Sequence, residues 1–209
     1  TMIENNKLIK FSVSRKEEIL QRKNNVICKD SEELEEIIRR SFNQKDENDN
    51  FYIGLLPKYC IENISKTLTN IKKNKINEVI NSKIQYALAI SQSDIRHIKK
   101  DSMTIDDCVD YILTAPEVVK NFDVVSFCKC QGKNALRFKK TINGITYITL
   151  IIISNRHKIF NIRTAFMLKK DFEAKKRNLI SKLCWNKTIK ASRKDTSETN
   201  GAKDFLTTL

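Results

Sequence analysis

The dipeptide Asn143-Gly144 constrains this chain more than any other feature. It lies between "ALRFKKTI" and "ITYITLIII", and Asn-Gly accepts the positive φ angles that a two-residue turn between strands demands. Two antiparallel strands are therefore predicted on either side of it. A turn at "QGKN" adds "FDVVSFCK" before them, and a turn at "SNRH" adds "KIFNIRTAF" after them. The upstream half reads mainly as helix, so the expected fold is α+β: a small antiparallel β-sheet of about four strands packed against helices.

The helical signals come in sequence order. "SRKEEILQRKNN" and "SEELEEIIRRSF" each suit a short amphipathic helix, the second with Ser31 as N-cap, acidic residues in its first turn and Arg39 and Arg40 in its last. The polar break "NQKDENDN" then sets the expected organisation: a charged helical arm over 1–50, a folded domain over 51–185 and a polar tail over 186–209. Ile61, Ile64, Leu68 and Ile71 fall on one helical stripe, and "KIQYALAIS" alternates as a strand does. Ser91 with Asp94, and Thr104 with Asp107, mark two helix starts; Pro116 is expected to end the second helix. A basic helix is expected over "DFEAKKRNLISKLCW".

Composition narrows the classes of function. The chain has 39 basic against 25 acidic residues, a net charge of +14 and a pI of about 9.5, which suits nucleic acid, an acidic surface or an acidic protein. No apolar run approaches the ~18 residues of a membrane span, and no segment has the layout of a secretion signal, so a cytoplasmic location is expected. The six cysteines are irregularly spaced and read as reduced thiols; the "CKC" pair at Cys128 and Cys130 lacks partner ligands, so no metal is expected. With 4 glycines, no Gly-rich phosphate loop can be assembled, and no nucleophile elbow occurs. If the chain is an enzyme, acid–base chemistry without a cofactor remains.

The residues able to carry such chemistry are few. The chain has 2 histidines. On a helix, His97 has Asp94, Lys100 and Asp101 three or four residues away, an environment for a general acid or base, and equally that of an ordinary surface histidine. His157 falls in the "SNRH" turn beside Arg156, where a solvated residue is also expected. Alternation sets Arg163 with Ile159 and Asn161, and Thr164 with Phe160 and Ile162, so the pair acts at one point only if a bulge re-aims one of them. Lys133, Arg137, Lys139 and Lys140 surround Phe138; this pattern serves an RNA backbone and its bases, or protects an exposed edge.

The segments "FYIGLLP", "ISQSDIRHIKKD", "DYILTAPEVVKNFD" and "GITYITLIIISNRHKIFNIRTAF", in that order, resemble phage-type members of the barnase/EndoU/colicin/RelE-like nuclease superfamily over roughly residues 51 to 170. The likeness rests on the helix motif "IRHIKK", the acidic helix ending at a Pro, and the last strand ending in "TAF". The resemblance implies a metal-independent ribonuclease, toxin or effector, that cleaves tRNA or other host RNA through the 2′-hydroxyl and leaves a 2′,3′-cyclic phosphate. It implies His97 as general acid or base, Thr164 on the scissile phosphate, and Phe166 as a stacking or strand-holding residue. Lys100 and Arg163 have the charge to stabilise the phosphorane, and Lys99, Arg137, Lys139, Phe138, Arg156 and His157 are the remaining candidate substrate contacts. The chain departs from the family where a second His commonly follows, reading "KKDS", and has Phe166 where Tyr is frequent.

Two other readings share these residues. One is a non-catalytic module that grips RNA or DNA; the other is an interaction domain for an acidic protein. For the nuclease, the implied partners are RNA and an acidic immunity or antitoxin protein.

Overall fold

The computed structural model describes residues 8–44, 49–68, 71 and 73–168. Six helices and seven strands follow one another in these residues. They are α1 (Val13–Leu20), β1 (Asn25–Ile27), α2 (Ser31–Ser41), β2 (Asn50–Leu55), α3 (Lys58–Thr67), α4 (Lys73–Val79) and β3 (Ala87–Ser91). Then come α5 (Gln92–Ile98), α6 (Ile105–Lys120), β4 (Val124–Cys130), β5 (Lys133–Ile142), β6 (Ile145–Ser154) and β7 (Ile159–Met167). The α+β class holds, but the sheet has seven strands rather than about four, in the order β1-β2-β3-β7-β6-β5-β4.

The four strands read from residue 122 onward form one antiparallel half, β4 to β7, turned at Gln131-Gly132 and Asn143-Gly144, all four with positive φ, and the alternating "KIQYALAIS" contains β3. The other half is β1, β2 and β3. It joins through a parallel β3–β7 pair, and β1 and β2 are also parallel, so the sheet is mixed. β1 has three residues, and β2 is apolar without clean alternation, which left both below the sequence signal. The polar break before residue 50 thus lies between two strands paired in one sheet.

The sheet's covered face carries Leu88, Ile90, Leu136, Phe138, Ile151, Phe160 and Ile162, all at 0% exposure. Helix α6 packs across β5, β6 and β7, and α2 packs on α6. Each fully buried Leu, Ile or Phe stabilises the fold by roughly 1.5–3 kcal/mol. On the opposite face, Phe11 and Ile19 bury against Tyr52, Leu55, Ala87 and Ala89, bringing α1 over one end of the sheet. The chain crosses Gly54 closely there: a Cβ at this position would lie 2.7 Å from that of Leu8, so the crossing requires glycine.

Local expectations were partly corrected. Helix α6 continues through Pro116 to Lys120, because Val118 and Val119 beyond it are fully buried and hold the last turn. Asp30, not Ser31, caps α2 through the Glu33 N–H at 2.9 Å. The stripe Ile61–Ile71 is cut short, since α3 ends at Thr67 with Leu68 as its C-cap and Ile71 lies in a bend before α4. Ser91 and Thr104 cap α5 and α6 as expected. The basic helix after residue 170 and the tail from 186 lie outside the described residues. No helix among the described residues is long and apolar enough to cross a membrane.

Candidate active site

Strand pairing fixes which side chains share the second face of the sheet. Lys133, Arg137 and Lys139 recur on β5 with a period of two or four and point to that face, while Leu136, Phe138 and Lys140 point to the covered one. Across β6, Arg137 aligns with Leu150 and then Thr164; Lys139 aligns with Ile148 and then Phe166. Phe166 is exposed, as are Arg137 and Lys139.

Thr164 reaches this face through a register shift. Leu150 pairs with Thr164 while Ile151 pairs with Ile162, so Arg163 is the extra residue of a bulge. Simple alternation sets Thr164 among the buried Phe160 and Ile162. The bulge instead moves it to the face of Asn161 and Phe166, and Ala165 and Met167 take the buried positions.

The bulged Arg163 pairs with Asp94, near the start of α5. Asp94 is 3% exposed, and its carboxylate also accepts hydrogen bonds from Ser91 Oγ at 2.7 Å and Asn161 Nδ2 at 2.9 Å. One buried carboxylate therefore ties the cap of α5 to β7 at two points. A buried charge needs such partners, and these also fix the side chains that hold it.

Beside this junction the second face opens into a cleft of about 600 Å³. Its cations are Arg22 and Lys23, from the turn after α1, and Lys133 on β5; its polar groups are Asn25, Asn50, Tyr52, Ser91, Ser154 and Asn161. Ala89, Ile152, Ile153 and Ile159 supply apolar wall, and among the described residues no carboxylate lines it. Three cations in such a lining favour an anion.

His157 also lines the cleft. Its turn is held from several sides: its N–H donates to Ser154 Oγ at 3.3 Å, and Arg15 Nη2 donates to the carbonyls of His157 and Lys158 at 3.4 and 3.2 Å. Neighbouring Asn155 accepts from the Tyr86 hydroxyl at 2.5 Å. His157 is exposed, and the slight burial it has, then the charges of Arg22 and Arg156, lower its pKa from the ordinary 6.5, which favours the neutral imidazole at neutral pH. Burial raises that of Tyr52, so its phenol keeps its proton.

The candidates read from sequence separate accordingly. His157, Arg137, Lys139, Thr164 and Phe166 share the second face, and Arg163 is locked to Asp94 at its margin. His97 is exposed on the last turn of α5 and is not among the residues lining the cleft. Lys99 caps α5 and Lys100 lies beyond it, so Lys100 and Asp101 do not share a helical face with His97. Arg156 is exposed in the turn. Phe138, expected as a base contact, is fully buried on the covered face against Phe122, with ring centroids 5.6 Å apart, and serves packing. Sequence reasoning missed Arg22, Lys23, Asn25, Asn50 and Tyr52. Their one signal was asparagine at strand positions, where it is normally depleted.

A base with a depressed pKa, beside three cations in one cleft, can take a proton from a hydroxyl while the cations hold a phosphate. Among the described residues, no group of three or more His, Cys, Asp or Glu could hold a metal ion. The family model described as phage-Barnase-EndoU-ColicinE5/D-RelE like nuclease3 matches residues 66–178, more than half of the chain. No curated protein and no solved structure matches the chain significantly.

Proposed function

The chain belongs to the phage-Barnase-EndoU-ColicinE5/D-RelE like nuclease family, and on that premise we propose that it is a metal-independent endoribonuclease acting in the cleft on the second face of its sheet. Neutral His157 accepts the proton of a ribose 2′-hydroxyl. The 2′-oxygen attacks the adjacent phosphorus, and the bond to the 5′-oxygen breaks. Arg22, Lys23 and Lys133 stabilise the negative phosphorane between these events. The 5′-oxygen leaves with a proton from solvent, and the products are a 2′,3′-cyclic phosphate and a 5′-hydroxyl. The substrate is tRNA or another host RNA, with Arg137, Lys139 and Phe166 gripping strand outside the cleft. Such an enzyme acts as a toxin, and its natural inhibitor is an acidic protein.

The observation that carries this reading is the lining of Arg22, Lys23 and Lys133 around His157, a histidine of lowered pKa. A second reading keeps His97 as the proton carrier, with Thr164 and Arg163 on the phosphate. The Asp94 link between α5 and the β7 bulge favours it. Cleavage of the same RNA by His157→Ala and His97→Ala chains discriminates the two: the first reading loses activity with His157, the second with His97.

A further inference from the structure

The cleft has one wall that the family match does not cover. Arg22, Lys23, Asn25, Asn50 and Tyr52 all precede residue 66, yet they face Ser91, Asn161 and His157 across a common space. Cations suffice to hold a phosphate; the amides beside them need another explanation. In the sheet register Asn25 pairs with Asn50 and Asn50 with Ser91, while Tyr52 pairs with Ala89 and Ala89 with Asn161. Two rows of polar groups thus lie side by side, and the small Ala89 leaves depth between Tyr52 and Asn161.

The amides are fixed relative to one another. Asn25 Nδ2 donates to the Ile19 carbonyl at 2.9 Å and to the Tyr52 hydroxyl at 3.4 Å, and Asn50 Nδ2 donates to Asn25 Oδ1 at 3.3 Å. This chain of bonds commits Asn25 and orients Asn50 and Tyr52. It leaves the Asn50 Oδ1 acceptor and the Tyr52 hydroxyl proton without a partner among the described residues. An acceptor and a donor held rigidly beside apolar Ile152 and Ile159 match the hydrogen-bonding edge and flat face of a nucleobase.

We infer that β1 and β2, outside the family match, form a subsite in which Asn50 and Tyr52, positioned by Asn25, read one nucleobase of the RNA. The inference rests on the nuclease reading for its substrate class, and its test is separate from cleavage. Binding of the four ribonucleoside 3′-monophosphates and of ribose 5-phosphate to the intact chain is measured by calorimetry, alongside Asn50→Ala and Tyr52→Phe. The intact chain is expected to bind one nucleotide about five- to tenfold tighter than the weakest, the worth of one or two hydrogen bonds. Both variants are expected to bring the four within about twofold while binding ribose 5-phosphate as the intact chain does, which also shows that they fold. Equal binding of the four by the intact chain, or a preference that survives in both variants, overturns the subsite. Base preference without RNA cleavage overturns the nuclease reading alone; cleavage without base preference overturns the subsite alone.

Discussion

Arg163, the residue that the β7 bulge leaves without a partner on β6, is paired with the Asp94 carboxylate on α5. The relationship explains why a bulge is present. Without it Arg163 and Thr164 would alternate onto opposite faces, and α5 would keep only the Asn161 bond to the strand. With it, Thr164 faces the second side of the sheet, and Asp94 holds Arg163 and Asn161 together at the margin of the cleft.

Removing that carboxylate leaves Arg163 without its partner in a setting where its side chain is 21% exposed. Asp94→Ala is expected to cost about 3 kcal/mol of stability, in the range for breaking a buried pair. Urea denaturation checks it. A loss under about 0.5 kcal/mol, the scale of an exposed pair, would show that the interaction is not buried in solution.

His157 titrates below 6.5 because burial and then Arg22 and Arg156 disfavour its cation. The folded protein therefore holds this proton more weakly than the unfolded chain. Folding is penalised while pH lies below the folded pKa, and the penalty vanishes as pH rises through 6.5. In cleavage, the acid limb of kcat/KM is expected to have its midpoint below 6.5 and to move upward in Arg22→Gln. Nuclear magnetic resonance titration of the imidazole, identified by its loss in His157→Ala, gives the same midpoint directly; a value above 6.5 would contradict the assignment.

Half of this architecture was legible in the sequence. β4 to β7 announce themselves through alternation and the Asn143-Gly144 turn, and the helix caps at Ser91 and Thr104 are chemical signals local to a few residues. The parallel pairs β1–β2 and β3–β7 leave no such mark, since their partners are brought together by the fold. The cleft was illegible for the same reason: Arg22, Asn50, Lys133 and His157 come from four distant segments. The bulge at Arg163 obeys no turn rule, so Thr164 was read on the wrong face. Phe138 looked like a stacking residue among lysines, yet the period of two that exposes Arg137 and Lys139 buries it.

Arg15 is 11% exposed and clamps the histidine turn through two carbonyls while pairing with Glu18. Arg15→Ala is expected to lower stability by about 1–2 kcal/mol and to speed hydrogen exchange at the amide of Lys158, which donates to Asn155 O at 3.2 Å. Unchanged exchange there would mean that the turn is held without Arg15.

RNA affinity should fall steeply with salt, because phosphate contacts release counterions. For single strands the slope of log K against log salt is about −0.7 per phosphate neutralised. Arg22→Gln, Lys23→Gln and Lys133→Gln are each expected to reduce its magnitude by about that amount in filter-binding titrations. A slope that none of the three alters would move the phosphate path away from the cleft.

The most direct measurement is incubation of the intact chain, His157→Ala and His97→Ala with total tRNA in excess EDTA, followed by end-group analysis of the fragments. The expected result is cleavage by the intact chain leaving 2′,3′-cyclic phosphate and 5′-hydroxyl ends, a rate loss of at least about a hundredfold in His157→Ala, and a smaller loss in His97→Ala. Fragments with 3′-hydroxyl ends, or undiminished cleavage by His157→Ala, would contradict it.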